Sequence, residues 1–201
     1  MMKTLRFPFS VEHVSDQAHW LLKSLRYVDA LELQIVRYCA LAAKYRVPRM
    51  ATRVLNHLGN GWIYIPIAAA LLEFERARAM RIIGAAGLGA TLAHAIHAVL
   101  KRSVCRRRPF VRLPSLVPLT RSLDRYSFPS GHCMTMASVL VPVVFATPVV
   151  WPVAAVSICM LAGARLISSH HYVSDVIFGI MLGAIAALPF ANWLIPPATA
   201  N

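Results

Sequence analysis

Four stretches of the chain carry no Asp, Glu, Lys or Arg: Val54–Leu72, Ile82–Leu100, Cys133–Ala164 and Val176–Asn201. A bilayer core about 30 Å thick takes roughly 20 apolar residues per helix, so three of the four read as single spans. The third, 32 residues long, is either one long tilted helix or a hairpin of two. Pro142, Pro148 and Pro152 near its middle oppose a continuous helix. Extending the run outward to Ser130 and Ser168 gives each half about the length of a span. The hairpin reading is preferred, and the pattern predicts an all-α, integral membrane helical bundle of about five transmembrane helices.

Upstream the pattern changes. Over Val28–Val47 the apolar residues Leu31, Leu33, Ile35, Val36, Leu41 and Ala42 alternate with Asp29, Glu32, Arg37 and Lys44. That is too charged for an ordinary span and reads as an amphipathic helix in the headgroup plane or one packed on the end of the bundle. Were it to cross, the spans would number six. Residues 1–53 are therefore expected to form an N-terminal interfacial segment and 54–201 the membrane domain. Met1–Leu22 is not read as a secretory leader, because Glu12, His13, Asp16 and His19 interrupt any apolar core.

Composition sharpens this picture. Of 201 residues 58% are hydrophobic and 14% charged, where a soluble domain carries about 45–50% and 25%. The few charges are lopsided, 21 Lys and Arg against 8 Asp and Glu, for a net +13. So basic a chain ordinarily points to nucleic acid. Here the apolar excess points instead to an anionic partner at a membrane, and nucleic acid is excluded.

Three polar clusters flank the apolar runs. Lys101 to Pro109 follows the second span, Pro129-Ser130-Gly131-His132 opens the third, and Arg165 to Asp175 lies between the fourth and fifth. If every span crosses, all three meet on one face, which only the hairpin allows. Lys101, Arg108 and Arg165 supply fixed positive charge, and arginine offers a planar fork matched to phosphate oxygens. Ser130 and Gly131 stand at a predicted helix N-terminus, where free N–H groups favour an anion. Asp175 follows His171 by four residues, hence on one helical face. There a carboxylate can fix the imidazole tautomer and leave the other nitrogen free to attack. His132 can protonate a departing oxygen. Two histidines, a carboxylate and three cations describe phosphoryl transfer by positioning and charge stabilisation.

Lys101-x6-Arg108-Pro109, then Pro129-Ser130-Gly131-His132, then Arg165-x5-His171-x3-Asp175 resembles the signature of the type 2 phosphatidic acid phosphatase superfamily, over roughly residues 54–195. That superfamily holds lipid phosphate phosphatases and vanadium haloperoxidases. The resemblance implies a membrane-embedded hydrolase of a lipid phosphate monoester or diphosphate. An isoprenoid phosphate, phosphatidate, phosphatidylglycerol phosphate or a glycolipid phosphate would serve. It further implies His171 as a nucleophile forming a phosphohistidine, Asp175 orienting it, and His132 as general acid. Lys101, Arg108, Ser130, Gly131 and Arg165 would bind phosphate, with no metal and no cofactor. One departure is visible: Ala164 stands where the family's third motif usually carries Ser.

Other residues take plainer readings. His170 is a neighbour or rim residue, while His94 and His97 are core histidines or line a cavity. Arg102, Arg106, Arg107, Arg112, Arg121 and Arg125 are solvated loop charges or contacts to anionic lipid headgroups. The four cysteines show no metal spacing, and no disulfide is expected. Residues 1–53 hold nine Lys and Arg and residues 101–132 hold eight, against Arg76, Arg78 and Arg81 on the other face. For a protein of a bacterial cytoplasmic membrane, the positive-inside rule then points the site toward the cytoplasm. Members of the family it resembles more often face outward. Two other readings stay open, a haloperoxidase-like oxidase and a non-enzymatic basic lipid-binding protein.

Overall fold

The computed structural model describes residues 16–122 and 124–196. Residues 1–15 of the N-terminal segment and 197–201 of the last apolar run lie outside them. Among the described residues the regular structure is helical, apart from one backbone bridge between Arg107 and Tyr126. In chain order the helices are α1 (Asp16–Leu41), α2 (Arg46–His57), α3 (Tyr64–Phe74), α4 (Arg76–Val104), the single turn α5 (Pro109–Arg112), α6 (Gly131–Ala146), α7 (Trp151–Ile167) and α8 (Val173–Leu194).

The hairpin over 133–164 is present. Helix α6 ends at Ala146, the chain turns through Thr147 and a 3₁₀ turn at Pro148–Val150, and α7 returns. Pro148 and Pro152 each sit in the first turn of a helical segment, where a missing N–H costs nothing, and Pro142 is accommodated inside α6. Among the described residues three segments are long and apolar enough to cross a bilayer: Arg76–Val104, Pro148–Ile167 and Val173–Leu194. Helix α6, at 16 residues, reaches only about 24 Å.

The first apolar run is not one straight span. It divides at Leu58–Trp62, where a π-type turn carries Gly61 at φ 126°, a conformation open to glycine and strained for other residues. Gly59-Asn60-Gly61 is a run of poor helix formers, and α3 beyond it has only 11 residues. Nor is the helix expected over 28–47 continuous. Helix α1 stops at Leu41, a 3₁₀ turn covers Ala42–Lys44, and α2 starts at Arg46, so position 53 falls inside α2. Helix α1 lies against the end of the bundle. Val36 packs with Leu116 and Tyr172, and Glu32 is buried beside it.

Helices α4, α6 and α8 pack as a close trio. On α8, Gly179 and Gly183 are spaced by four and face α6. A Cβ on Gly183 would run into the Met134 carbonyl oxygen, and one on Gly179 would stand 2.7 Å from that of Ser130. Small residues at this spacing let two membrane helices approach backbone to backbone. The contact sets the N-terminus of α6 beside that of α8, and Ser130 N–H donates to the Asp175 carbonyl at 2.9 Å.

Candidate active site

The end of α4, the start of α6, the end of α7 and the start of α8 meet on one side of the bundle. There they enclose a cavity of about 480 Å³. Of the eight residues singled out above, Arg108, Gly131, His132, Arg165 and His171 line it. Lys101, Ser130 and Asp175 stand behind that wall, all buried.

His171 is the focus of the site. Its Nε2 lies 3.3 Å from Arg108 Nη1 and 3.4 Å from Arg165 Nη2. Guanidinium groups only donate, so Nε2 carries the lone pair and the ring proton rests on Nδ1. That nitrogen faces Asp175 Oδ2 at 3.7 Å, an electrostatic contact longer than a hydrogen bond. Asp175 is otherwise engaged: Oδ2 accepts from the Tyr172 N–H at 2.9 Å and Oδ1 from Arg106 at 2.8 Å. Burial pushes the His171 imidazole well below its usual pKa, and Arg165, Arg108 and Lys101 push the same way. A neutral imidazole with a free Nε2 results.

The cations differ in how they are balanced. Arg108 is 2% exposed; it donates to the His170 carbonyl at 2.8 Å and to the carboxylate of Asp124. Lys101 meets the same carboxylate at 2.8 Å. Burial acts to raise the Asp124 carboxyl, but Lys101 and Arg108 outweigh it and hold it below the ordinary range. Arg165 is 4% exposed and donates to Asn56 Oδ1 at 2.6 Å; among the described residues no carboxylate pairs with it. A buried guanidinium with only a neutral amide and a neutral imidazole for company costs several kcal/mol unless an anion joins it.

On the opposite wall His132 Nε2–H donates to Asn60 Oδ1 at 2.8 Å. Ser130 caps α6 with its Oγ buried and unbonded. His94 and His97 do line the cavity, and His97 Nε2, unbonded, stands 2.9 Å from where a Gly131 Cβ would be. His170 is fully buried rather than at the rim. Its Nε2 meets the Thr120 carbonyl at 2.9 Å, and burial, with Arg165, pushes it down to about 3.

Four residues of this site have no role in the three motifs: Asn56, Asn60, Asp124 and Arg106. Asn60 had a local signal, since Gly59-Asn60-Gly61 interrupts an apolar run. Arg106 had none, being one of three consecutive arginines. It turns inward onto Asp175, whereas Arg107 is exposed. Apart from Arg106 and the half-exposed Arg112, which pairs with Asp29 at 2.6 Å, the loop arginines face outward.

A second, apolar groove of about 450 Å³ runs between α2–α3, α6 and α7. It is lined by residues such as Leu55, Leu140, Val143, Ala154 and Leu161, and it shares Gly59 with the polar cavity. A Cβ at Gly59 would stand 2.8 Å from His132 and 3.0 Å from Leu161, so the two spaces meet there.

Comparison with known proteins agrees with this geometry. Residues 82–196 match the PAP2 superfamily. Decaprenylphosphoryl-5-phosphoribose phosphatase of Mycolicibacterium smegmatis is 35% identical over 130 residues, 63% of this chain and 68% of that protein. Undecaprenyl-diphosphatase of Sulfolobus acidocaldarius is 27% identical over 131 residues, 65% of this chain and 63% of that protein. In fold, the chain resembles the transmembrane PAP2-type phosphatidylglycerolphosphate phosphatase of Bacillus subtilis, with a TM-score of 0.64 and 21% identity over 83% of this chain and 86% of that one. Aquifex aeolicus LpxE gives 0.66 and 20% over 80% and 94%. Signature, fold and kinship coincide, and the chain belongs to the PAP2 superfamily, as an integral membrane phosphatase.

Proposed function

We propose that the enzyme removes the terminal phosphate from a prenyl-linked phosphate, with His171 as nucleophile. The observation that carries this is the convergence of two buried guanidinium groups on His171 Nε2, at 3.3 and 3.4 Å. Cations placed there hold the equatorial oxygens of a phosphoryl group whose phosphorus faces the lone pair. Nε2 attacks phosphorus and the bond to the leaving oxygen breaks. His132, held as imidazolium beside the bound phosphate anion, gives its Nε2 proton to that oxygen and is left neutral, exchanging its hydrogen bond to Asn60 for one to the departing group. Water, deprotonated by His132, then displaces the phosphoryl group from Nε2 and releases inorganic phosphate. Asp175 orients His171 electrostatically, while Lys101 acts through Asp124 and Arg108. Ser130 and Gly131 present the N-terminus of α6 to the phosphate.

The substrate class rests on the groove and on the relatives. The shared border at Gly59 gives a lipid phosphate one place for its head and another for its chain. Two relatives are named for decaprenyl- and undecaprenyl-linked phosphates, which favours a prenyl chain over a diacyl lipid. The charge distribution favours a cytoplasm-facing site in a bacterial inner membrane. The outward-facing Arg102, Arg107, Arg121 and Arg125 favour contact with anionic headgroups at that face.

Phosphate release from a panel of lipid phosphates in detergent tests the reading. Prenyl mono- or diphosphate is expected to exceed phosphatidate, phosphatidylglycerol phosphate and glycolipid phosphate in kcat/KM. Preference for a diacyl substrate would overturn it. An N-terminal reporter active in only one compartment tests the sidedness, and a periplasmic signal would reverse it.

A further inference from the structure

We infer that Glu32 and Arg106 are positioning residues for the Asp175–His171 pair, so that helix α1, outside the part of the chain that matches the family, is a working part of the active site. The inference rests on the reading of His171 as nucleophile.

The wiring is continuous. Arg106 Nη1 donates to Asp175 Oδ1 at 2.8 Å and to Ser174 Oγ at 2.7 Å, and Nη2 donates to Glu32 Oε2 at 2.7 Å. Glu32 Oε1 in turn accepts the backbone N–H of Ser174 at 2.6 Å, and Oε2 accepts its hydroxyl at 3.0 Å. One carboxylate from α1 therefore holds both the cation that touches Asp175 and the first turn of α8 on which Asp175 sits. A negative group there is also favoured by the helix dipole. The guanidinium lies 3.9 Å over the Tyr172 ring, and the Ser127 N–H to Arg106 carbonyl bond at 2.8 Å fixes the backbone that carries it. Glu32 is 7% exposed and Asp175 fully buried.

This arrangement bears on His171 through the charge on either side of it. Arg108 and Arg165 crowd Nε2, and Arg106 lies across the ring, behind Asp175. Arg106 and the Tyr172 N–H each donate to one oxygen of Asp175, and the Ser127 hydroxyl lies beside the same carboxylate. Without Arg106 one oxygen of a buried carboxylate loses its charged partner, and the other is held toward Nδ1 by the Tyr172 N–H without the guanidinium to brace it. Without Glu32 the guanidinium, whose side chain is 21% exposed, is free to turn outward to Asp29, 3.5 Å from it. Glu32 thus acts through Arg106, and Arg106 through Asp175.

The test is a kinetic panel on the full-length enzyme in detergent with farnesyl phosphate, and inorganic phosphate as competitive inhibitor. Arg106→Gln is expected to lower kcat about tenfold or more, as loss of an outer partner does, with KM and the phosphate inhibition constant nearly unchanged. Arg106→Lys restores part of the rate. Glu32→Gln gives a smaller fall in kcat, and the double variant is no worse than Arg106→Gln alone, because the two share one path. Arg37→Gln, which removes a charge from the outer face of α1, leaves the rate unchanged. Wild-type kcat in Arg106→Gln overturns the inference, as do additive losses or a rise in KM at constant kcat. Should Arg106→Gln not stay folded, as judged by size-exclusion profile, Glu32→Gln alone decides by the same criteria. His171→Ala in the same panel separates the two claims. Turnover by that variant removes the reading beneath, whereas an inactive His171→Ala beside a fully active Arg106→Gln removes only the inference.

Discussion

The polar cavity and the apolar groove share a wall at Gly59, yet they are built in opposite ways. The cavity takes its residues from helix ends and loops, brings two buried guanidinium groups to one histidine, and among the described residues leaves Arg165 without a carboxylate. The groove takes most of its residues from helix middles, and apart from Ser157 midway along α7 and Glu75 and Thr147 at its far end it offers only apolar surface and Gly59. The helix middles supply what a membrane supplies, an apolar solvent for a chain. Only the helix ends supply what the membrane cannot, fixed charge shielded from water. The bundle holds each to its own job by turning polar only where its helices stop.

Breaking the cavity has the larger effects. Arg165→Gln is expected to lower kcat/KM about 10²–10³-fold, the range for losing one donor to a developing charge. Turnover of a short, soluble phosphate ester checks this, since it falls equally there if Arg165 serves the phosphate alone. Filling the groove is milder and selective. Ala154→Phe is expected to raise KM for a long-chain prenyl phosphate about tenfold, within the 1–3 kcal/mol a pocket gains or loses on such changes. It should spare the short ester, and an equal loss on both substrates would dissolve the distinction between the two spaces.

How far these regions were legible in the sequence follows the same division. His132, His171, Arg108 and Arg165 were legible because motif spacing is preserved when the chain folds, and because Pro148 and Pro152 mark the hairpin that brings the motifs together. The groove was not legible, since apolar residues that line a groove and those that face lipid have the same composition. Asn60 and Arg106 were missed for a different reason. Each acts through a tertiary contact, to His132 and to Asp175, that no local pattern encodes. Even the straight first span, plausible from hydropathy, gave way to a break at Gly61.

Two smaller effects sharpen the comparison through stability. Gly183→Val places a branched side chain against the Met134 carbonyl and is expected to cost about 1–3 kcal/mol by overpacking, read as a lowered unfolding temperature in detergent. Acidification acts through the histidines in and behind the cavity wall. His170, pushed down to about 3, and His171, also lowered, stay neutral when folded but take up protons near pH 6.5 when unfolded. The unfolded chain then binds more protons, so stability is present above about pH 6.5 and falls as pH drops below it. Each histidine contributes up to about 1.4 kcal/mol per unit. Double replacement by Gln should make the melting temperature fall less steeply between pH 7 and 5.

The central claim is that His171 Nε2 takes the phosphoryl group. Rapid quenching of enzyme mixed with prenyl phosphate carrying a labelled phosphorus reads it directly. The account predicts a label on the protein that is lost in acid, survives alkali and is absent from His171→Ala. A wild-type enzyme that turns over without ever carrying label, or a His171→Ala variant that still acquires it, would contradict the account.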